Sequence, residues 1–147
     1  MSIVSDFTVI VGDNSKIIGD ADLHWEHSFP TNGAQGSALL MLMVSGLTWA
    51  DPEQQQVVDV KINGQLVGHI YPYRWPTEEL RLGAAKHWHT QVINIGAGVL
   101  KKSGNNTLEL EAVPYPEATG TNAFDDFAVR DVVCFFKQQA EGLAVAS

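Results

Sequence analysis

His87 and His89 flank Trp88 in the run HWHT, and His24 and Glu26 stand at the same spacing in HWEH. On a strand, residues two apart point to one face, so each pair presents two metal-capable side chains together. A set of His87, His89, His24 and Glu26 would suit zinc or iron. His27 lies three residues from His24 and on a strand faces the other way, so it joins such a set only through a bulge. No spacing fixes a third ligand, and no glycine-rich framing accompanies HWH. The histidines are therefore read first as surface or half-buried groups, and a small His-dependent metalloenzyme stands as an alternative.

Other catalytic patterns are missing from the sequence. There is no GxSxG elbow, and GAGVLKKSG lacks the spacing of a phosphate-binding loop. The carboxylate pairs Glu78–Glu79 and Asp125–Asp126 are adjacent in sequence. Neighbours of that kind point apart or lie in loops, and they seldom form an acid–base pair. These observations favour binding over catalysis.

The segment YPYRWP is the strongest candidate for a binding surface. It places Tyr71, Tyr73, Arg74 and Trp75 within five residues, stiffened by Pro72 and Pro76. Flat aromatic rings pack on the C–H faces of sugars, while polar side chains hydrogen-bond the hydroxyls. A rigid loop carrying Tyr and Trp loses little entropy on binding. His87, Trp88 and Tyr115 would join it if the loop ends cluster. The competing readings are aromatic plugging of the end of the fold and a subunit contact. Trp25 and Trp49 sit in or beside apolar runs and are read as core.

The elements that must position these residues are strands. DFTVIVGD alternates, DADLHWEHSFP alternates as far as Pro30, and HWHTQVINI, NTLELEAV and DDFAVRDVVCFF follow suit. SALLMLMVSGLTW is continuously apolar and is expected to be a core strand buried on both faces. VVDVKINGQLVGHI is a hairpin about Asn63-Gly64, the dipeptide suited to a type I′ turn. Val58, Val60 and Ile62 should share one face, matched by Leu66, Gly68 and Ile70 on the return strand. TEELRLGAAK could make one short helix capped by Thr77. The expected fold is all-β: a single jelly-roll β-sandwich of about eight antiparallel strands over residues 1–138, with a frayed tail over 139–147.

Bulk properties bound the partners. A chain of 147 residues suits one domain, and hydrophobic residues make up 45% of it, enough for a core. The net charge of −8 argues against nucleic acid and against an anionic membrane surface. The lone cysteine, Cys134, has no partner for an intramolecular disulfide and lies in the apolar run VVCFF, as an inert buried thiol would. The first residues lack the basic and apolar regions of a signal peptide, and LLMLMVSGL is too short to span a bilayer. The expectation is a soluble protein, cytoplasmic or released by a signal-independent route.

Three stretches together carry a resemblance. VINIGAGVLKKSGNNTLELEA runs strand, small loop, Leu, Gly-Asn, strand. VDVKINGQLVGHI supplies the upstream hairpin and DDFAVRDVVCFF an acidic start to an alternating last strand. They resemble galactose-binding-domain-like jelly rolls, the sandwiches of many carbohydrate-binding modules and lectin-like domains. The resemblance covers about a third of the chain, and that fold hosts many functions. It implies a non-catalytic module whose partner is a saccharide or glycoconjugate. It also implies a structural calcium held by an acidic residue of the last strand (Asp125, Asp126 or Asp131) with Asp13 or Asp20 from an early loop. Calcium takes six to eight oxygen ligands, so clustered carboxylates suit it. The bland alternative is that Asp125 and Asp126 merely end a loop. A structural or assembly subunit, possible as a homo-oligomer, is the remaining alternative for function.

Overall fold

The computed structural model describes residues 3–19, 23–47, 57–72, 88–113 and 127–139. Among them are nine strands: β1 (Ile3–Val11), β2 (Lys16–Ile18), β3 (His24–Pro30), β4 (Gln35–Ser45), β5 (Val57–Ile62), β6 (Gln65–Ile70), β7 (His89–Ile95), β8 (Asn105–Val113) and β9 (Phe127–Gln139). The expected eight miss β2, whose three residues are too few to show a period. The short helix expected at Thr77 and the tail beyond Gln139 lie outside the described residues. No helix among the described residues is long and apolar enough to cross a membrane.

The strands form two antiparallel sheets that enclose one core. The five-stranded sheet runs β1-β9-β4-β7, and β2 pairs with β9 beyond the end of β1. The four-stranded sheet runs β3-β8-β5-β6. At one side of the sandwich β1 neighbours β3, and at the other β6 neighbours β7. Alternation drives each strand to bury one face. Val58, Val60 and Ile62 of β5, Leu108 and Leu110 of β8, and Leu40, Leu42 and Val44 of β4 are fully enclosed between the sheets.

Two expectations are corrected here. The apolar run of β4 is buried on one face only. Ala38, Leu40, Leu42 and Val44 enter the core, while Leu39 is exposed and Met41 and Met43 are half-buried. Apolar composition marked both faces, but only one is covered by the other sheet. The second correction concerns β6. The turn has positive φ at Asn63 (53°) and Gly64 (80°), as a type I′ hairpin requires. The register then slips, with Val60 opposite Gly68 but Lys61 opposite Leu66. The extra residue, Val67, packs on the core, and Leu66 turns outward to solvent.

A second bulge interrupts β9. Its buried residues are Phe127 and Val129, and then Val132, Cys134 and Phe136. The phase changes at Asp131, where φ is +49°. The Asp131 amide donates to Gly12 O at 2.8 Å. An inserted residue in a left-handed conformation is the usual way to shift a strand's facing without breaking its pairing.

Candidate functional site

The four-stranded sheet carries its polar residues on its outer face. His24 lies opposite Glu111, Glu26 opposite Glu109, and Asp59 opposite both Glu111 and His69. His24 Nε2 donates to Glu109 Oε2 at 3.2 Å, His69 Nδ1 to Asp59 Oδ1 at 2.9 Å, and Lys61 Nζ to Glu111 Oε2 at 3.3 Å. Like charges directly across a ladder repel, and Lys61, opposite Glu109, is engaged by Glu111. One ligand atom each from His24, Glu26 and Glu109 lies within 4.8 Å of the others. One imidazole and two carboxylates form a donor set of the zinc type.

This arrangement revises the histidine set. His24 and Glu26 do share a face, and His27 turns away to stack on Trp25 at 5.8 Å between ring centroids. Trp25 packs against the core, as expected of it. His89, however, lies on β7 at the opposite side of the sandwich from β3. His24 and His89 therefore cannot ligate one ion. Glu109 is the residue that joins His24 and Glu26, and only the β3–β8 pairing could reveal it. His87 and Trp49 are outside the described residues.

His89 points inward and accepts a hydrogen bond from Gln91 Nε2 at 3.0 Å. Burial holds its imidazole below the usual histidine pKa. Gln91 also clamps the chain after β6: its amide donates to Tyr71 O at 2.7 Å and accepts from Tyr71 N at 3.1 Å. Tyr71 is half-exposed, its ring 5.7 Å from that of His69. The Trp88 ring instead lies 4.2 Å from the Arg130 guanidinium. Tyr71 and Trp88 thus follow or precede strands of different sheets, each ring against its own neighbour. Tyr73, Arg74, Trp75 and Tyr115 lie outside the described residues.

Of the acidic calcium candidates, Asp13 and Asp131 are described, and Asp20, Asp125 and Asp126 are not. The bond from the Asp131 amide to Gly12 brings Asp131 beside the turn that holds Asp13. Asp13 is exposed, and Asp131 Oδ2 lies 3.4 Å from Arg130 Nε. Two carboxylates, one already facing a guanidinium, fall well short of calcium's six to eight oxygens.

A concave site missed by the sequence reading opens where β1 and β9 meet the loop after β3. It is a cleft of about 550 Å³ whose walls include Asp6, Asn32, Lys102, Phe136 and Gln138, with Phe7 and Pro30 at its margin. Gln138 is nearly buried, and its amide donates to Asp6 Oδ2 at 2.9 Å. Thr8 Oγ1 donates to Pro30 O at 2.8 Å, which fixes β1 against the end of β3. Gly33 N donates to Lys102 O at 3.1 Å and joins the two loops that form the other wall. The cleft combines apolar walls with convergent donors and acceptors of both signs. No local pattern announces it, because Asp6 and Gln138 stand near opposite ends of the chain.

No family model matches the chain, and no curated protein is similar to it in sequence. Solved structures do share its architecture. A family 35 carbohydrate-binding module from Clostridium thermocellum is 13% identical with a TM-score of 0.50, over 89% of this chain and 98% of that one. A family GH115 4-O-methyl-alpha-glucuronidase, BtGH115A, is 15% identical with a TM-score of 0.52, over 89% of this chain and 16% of the enzyme. Dimeric latent PorU from Porphyromonas gingivalis is 11% identical with a TM-score of 0.50, over 92% of this chain and 13% of that one. The chain therefore matches nearly all of a free-standing module and a small part of two larger proteins. The fold is the jelly-roll β-sandwich of carbohydrate-binding modules, as the three sequence stretches led one to expect.

Proposed function

We propose that the domain is a non-catalytic, lectin-like module that binds a neutral saccharide or the glycan of a glycoconjugate. The observation that carries this reading is the 550 Å³ cleft, in which Asp6, Asn32, Lys102 and Gln138 converge beside aromatic and proline walls. Saccharide hydroxyls both donate and accept, and a mixed carboxylate, amide and ammonium lining meets both needs. The fold shared with a carbohydrate-binding module supports the reading. The net charge of −8 favours a neutral ligand over a polyanion.

The segment Tyr71, Tyr73, Arg74 and Trp75, with His87, Trp88 and Tyr115, is the competing location, and the two are separable by mutation. A structural calcium belongs to the same proposal. Its support is the placement of Asp131 beside the Asp13 turn, and Asp20, Asp125 and Asp126 would have to supply the remaining oxygens.

A glycan array on the purified protein, run with calcium and with chelator, tests the reading. A defined set of hits that weakens about tenfold in Asn32→Ala and in Lys102→Ala, each worth about one hydrogen bond, places the ligand in the cleft. Hits lost in Trp75→Ala but kept in those variants move the site to the aromatic segment. A blank array with folded protein overturns saccharide binding altogether.

A further inference from the structure

We propose that the outer face of the five-stranded sheet is a self-association surface on which a second copy of this chain packs face to face. The inference does not depend on any saccharide, and of its apolar anchors only Phe7 also borders the cleft.

Pairing across the sheet builds two adjacent apolar rows. Phe7 is opposite Phe135, which is opposite Leu39; Val9 is opposite Val133, then Met41, then Val92. Phe7 (58%), Val9 (54%), Leu39 (43%), Val92 (59%) and Phe135 (39%) remain exposed. Isolated apolar side chains at a surface are ordinary, but a contiguous patch spanning four strands marks an interaction site.

Charge and chemistry choose the partner. Seven of the eight side chains in the two rows are apolar, with Asn94 opposite Leu39 at the β7 end of the first, so a sugar ring seated over the rows would leave most of its hydroxyls without partners. Glu26, Asp59, Glu109 and Glu111 stand on the outer face of the other sheet, and Asp6 and Asp131, the described carboxylates on strands of this sheet, belong to neither row. Two copies of a chain with net charge −8 can meet through the apolar rows without setting acid against acid.

The face has both a ridge and a hollow. Phe7 and Phe135, with ring centroids 6.1 Å apart and planes at 42°, form a ridge on the β1 side. Beside it lies a hollow of about 350 Å³ walled by Leu39, Asn94, Phe135 and Lys137. A two-fold axis that set each ridge against the partner's hollow would use the same patch on both copies, as an isologous dimer does. Several half-exposed side chains of the ~150–200 Å² class offer roughly 500 Å² of apolar area. The polar rim at Ser5, Ser37, Thr90, Asn94 and Lys137 extends this toward the ~800 Å² per partner of a standard interface.

Sedimentation velocity on the full chain across a concentration series up to about 100 µM tests the proposal, in the micromolar range where such interfaces associate. Wild type should shift from monomer to dimer. Phe7→Glu and Val92→Glu, both at exposed positions, should raise the dissociation constant by at least ~100-fold, as loss of central anchors does. Their thermal unfolding under monomeric dilution should match that of wild type. A wild-type protein that stays monomeric throughout overturns the proposal. So does a dimer indifferent to both variants, which would be held elsewhere. Phe7→Glu also removes the ring contact with Phe135, so if it unfolds earlier at dilution, Val92→Glu alone decides between the outcomes.

Discussion

Asn63 and Asn106 meet through their side-chain amides, with Asn63 Nδ2 donating to Asn106 Oδ1 at 2.8 Å. Asn106 is fully buried, and the same oxygen accepts from Lys101 N at 2.8 Å while its amide donates to Thr31 Oγ1 at 2.6 Å. Asn63 also donates to Val99 O and accepts from Thr107 N, both at 2.9 Å. One pair of side chains thus joins the β5–β6 turn, the loop before β8 and the segment after β3. Asn106→Ala should destabilise the fold by ~2–4 kcal/mol, because it strands several buried polar groups together. Urea unfolding measures this, and a loss below ~1 kcal/mol would mean that water replaces the amide.

Gly68 is set by close approach. A Cβ there would meet Ile93 Cγ2 at 2.8 Å, a branch methyl that cannot swing clear. Gly68→Ala should cost about 1–3 kcal/mol by overpacking. In the double variant with Ile93→Ala, the two losses should fall short of additive in a double-mutant cycle. Strict additivity would show that the backbone, not Ile93, resents the methyl.

Burial pushes the Cys134 thiol up to about 12. Native protein at pH 8 should therefore leave it unlabelled by a thiol reagent, and denaturant should expose one equivalent. Rapid labelling of folded protein would contradict the enclosed position of the central strand.

His89 ties stability to pH. Its folded-state pKa lies below the ordinary 6.5. As the pH falls through 6.5 the unfolded chain takes up a proton that the folded chain resists, so stability falls on the acid side and is complete above that value. Thermal unfolding between pH 5 and 7.5 should show a shallower slope in His89→Gln than in wild type. Equal slopes would show that His89 does not carry the pH dependence.

Much of the framework was legible because it rests on local chemistry. Asn63-Gly64 announced its turn, and Val58, Val60 and Ile62 announced their face through simple alternation. What escaped depends on pairing between distant strands. Val67 and Asp131 shift phase by one residue, and a bulge leaves no mark in an alternating run. Glu109 reaches His24 only because β8 lies beside β3. The cleft joins residues near both ends of the chain, Asp6 and Gln138, which no spacing rule connects. The apolar outer side of β4 was visible in composition, but composition does not say which side is covered.

The bulge at Asp131 makes β9 unusually intolerant of changes in chain length. Loss of one residue there would carry Val132, Cys134, Phe136 and Gln138 to the outside and drive Val133, Phe135 and Lys137 inward. Because β9 pairs with β1, β2 and β4, the error would pass to three strands at once. Natural length variation in this domain should therefore gather in its loops, leaving residues 127–139 fixed in number even where their side chains vary.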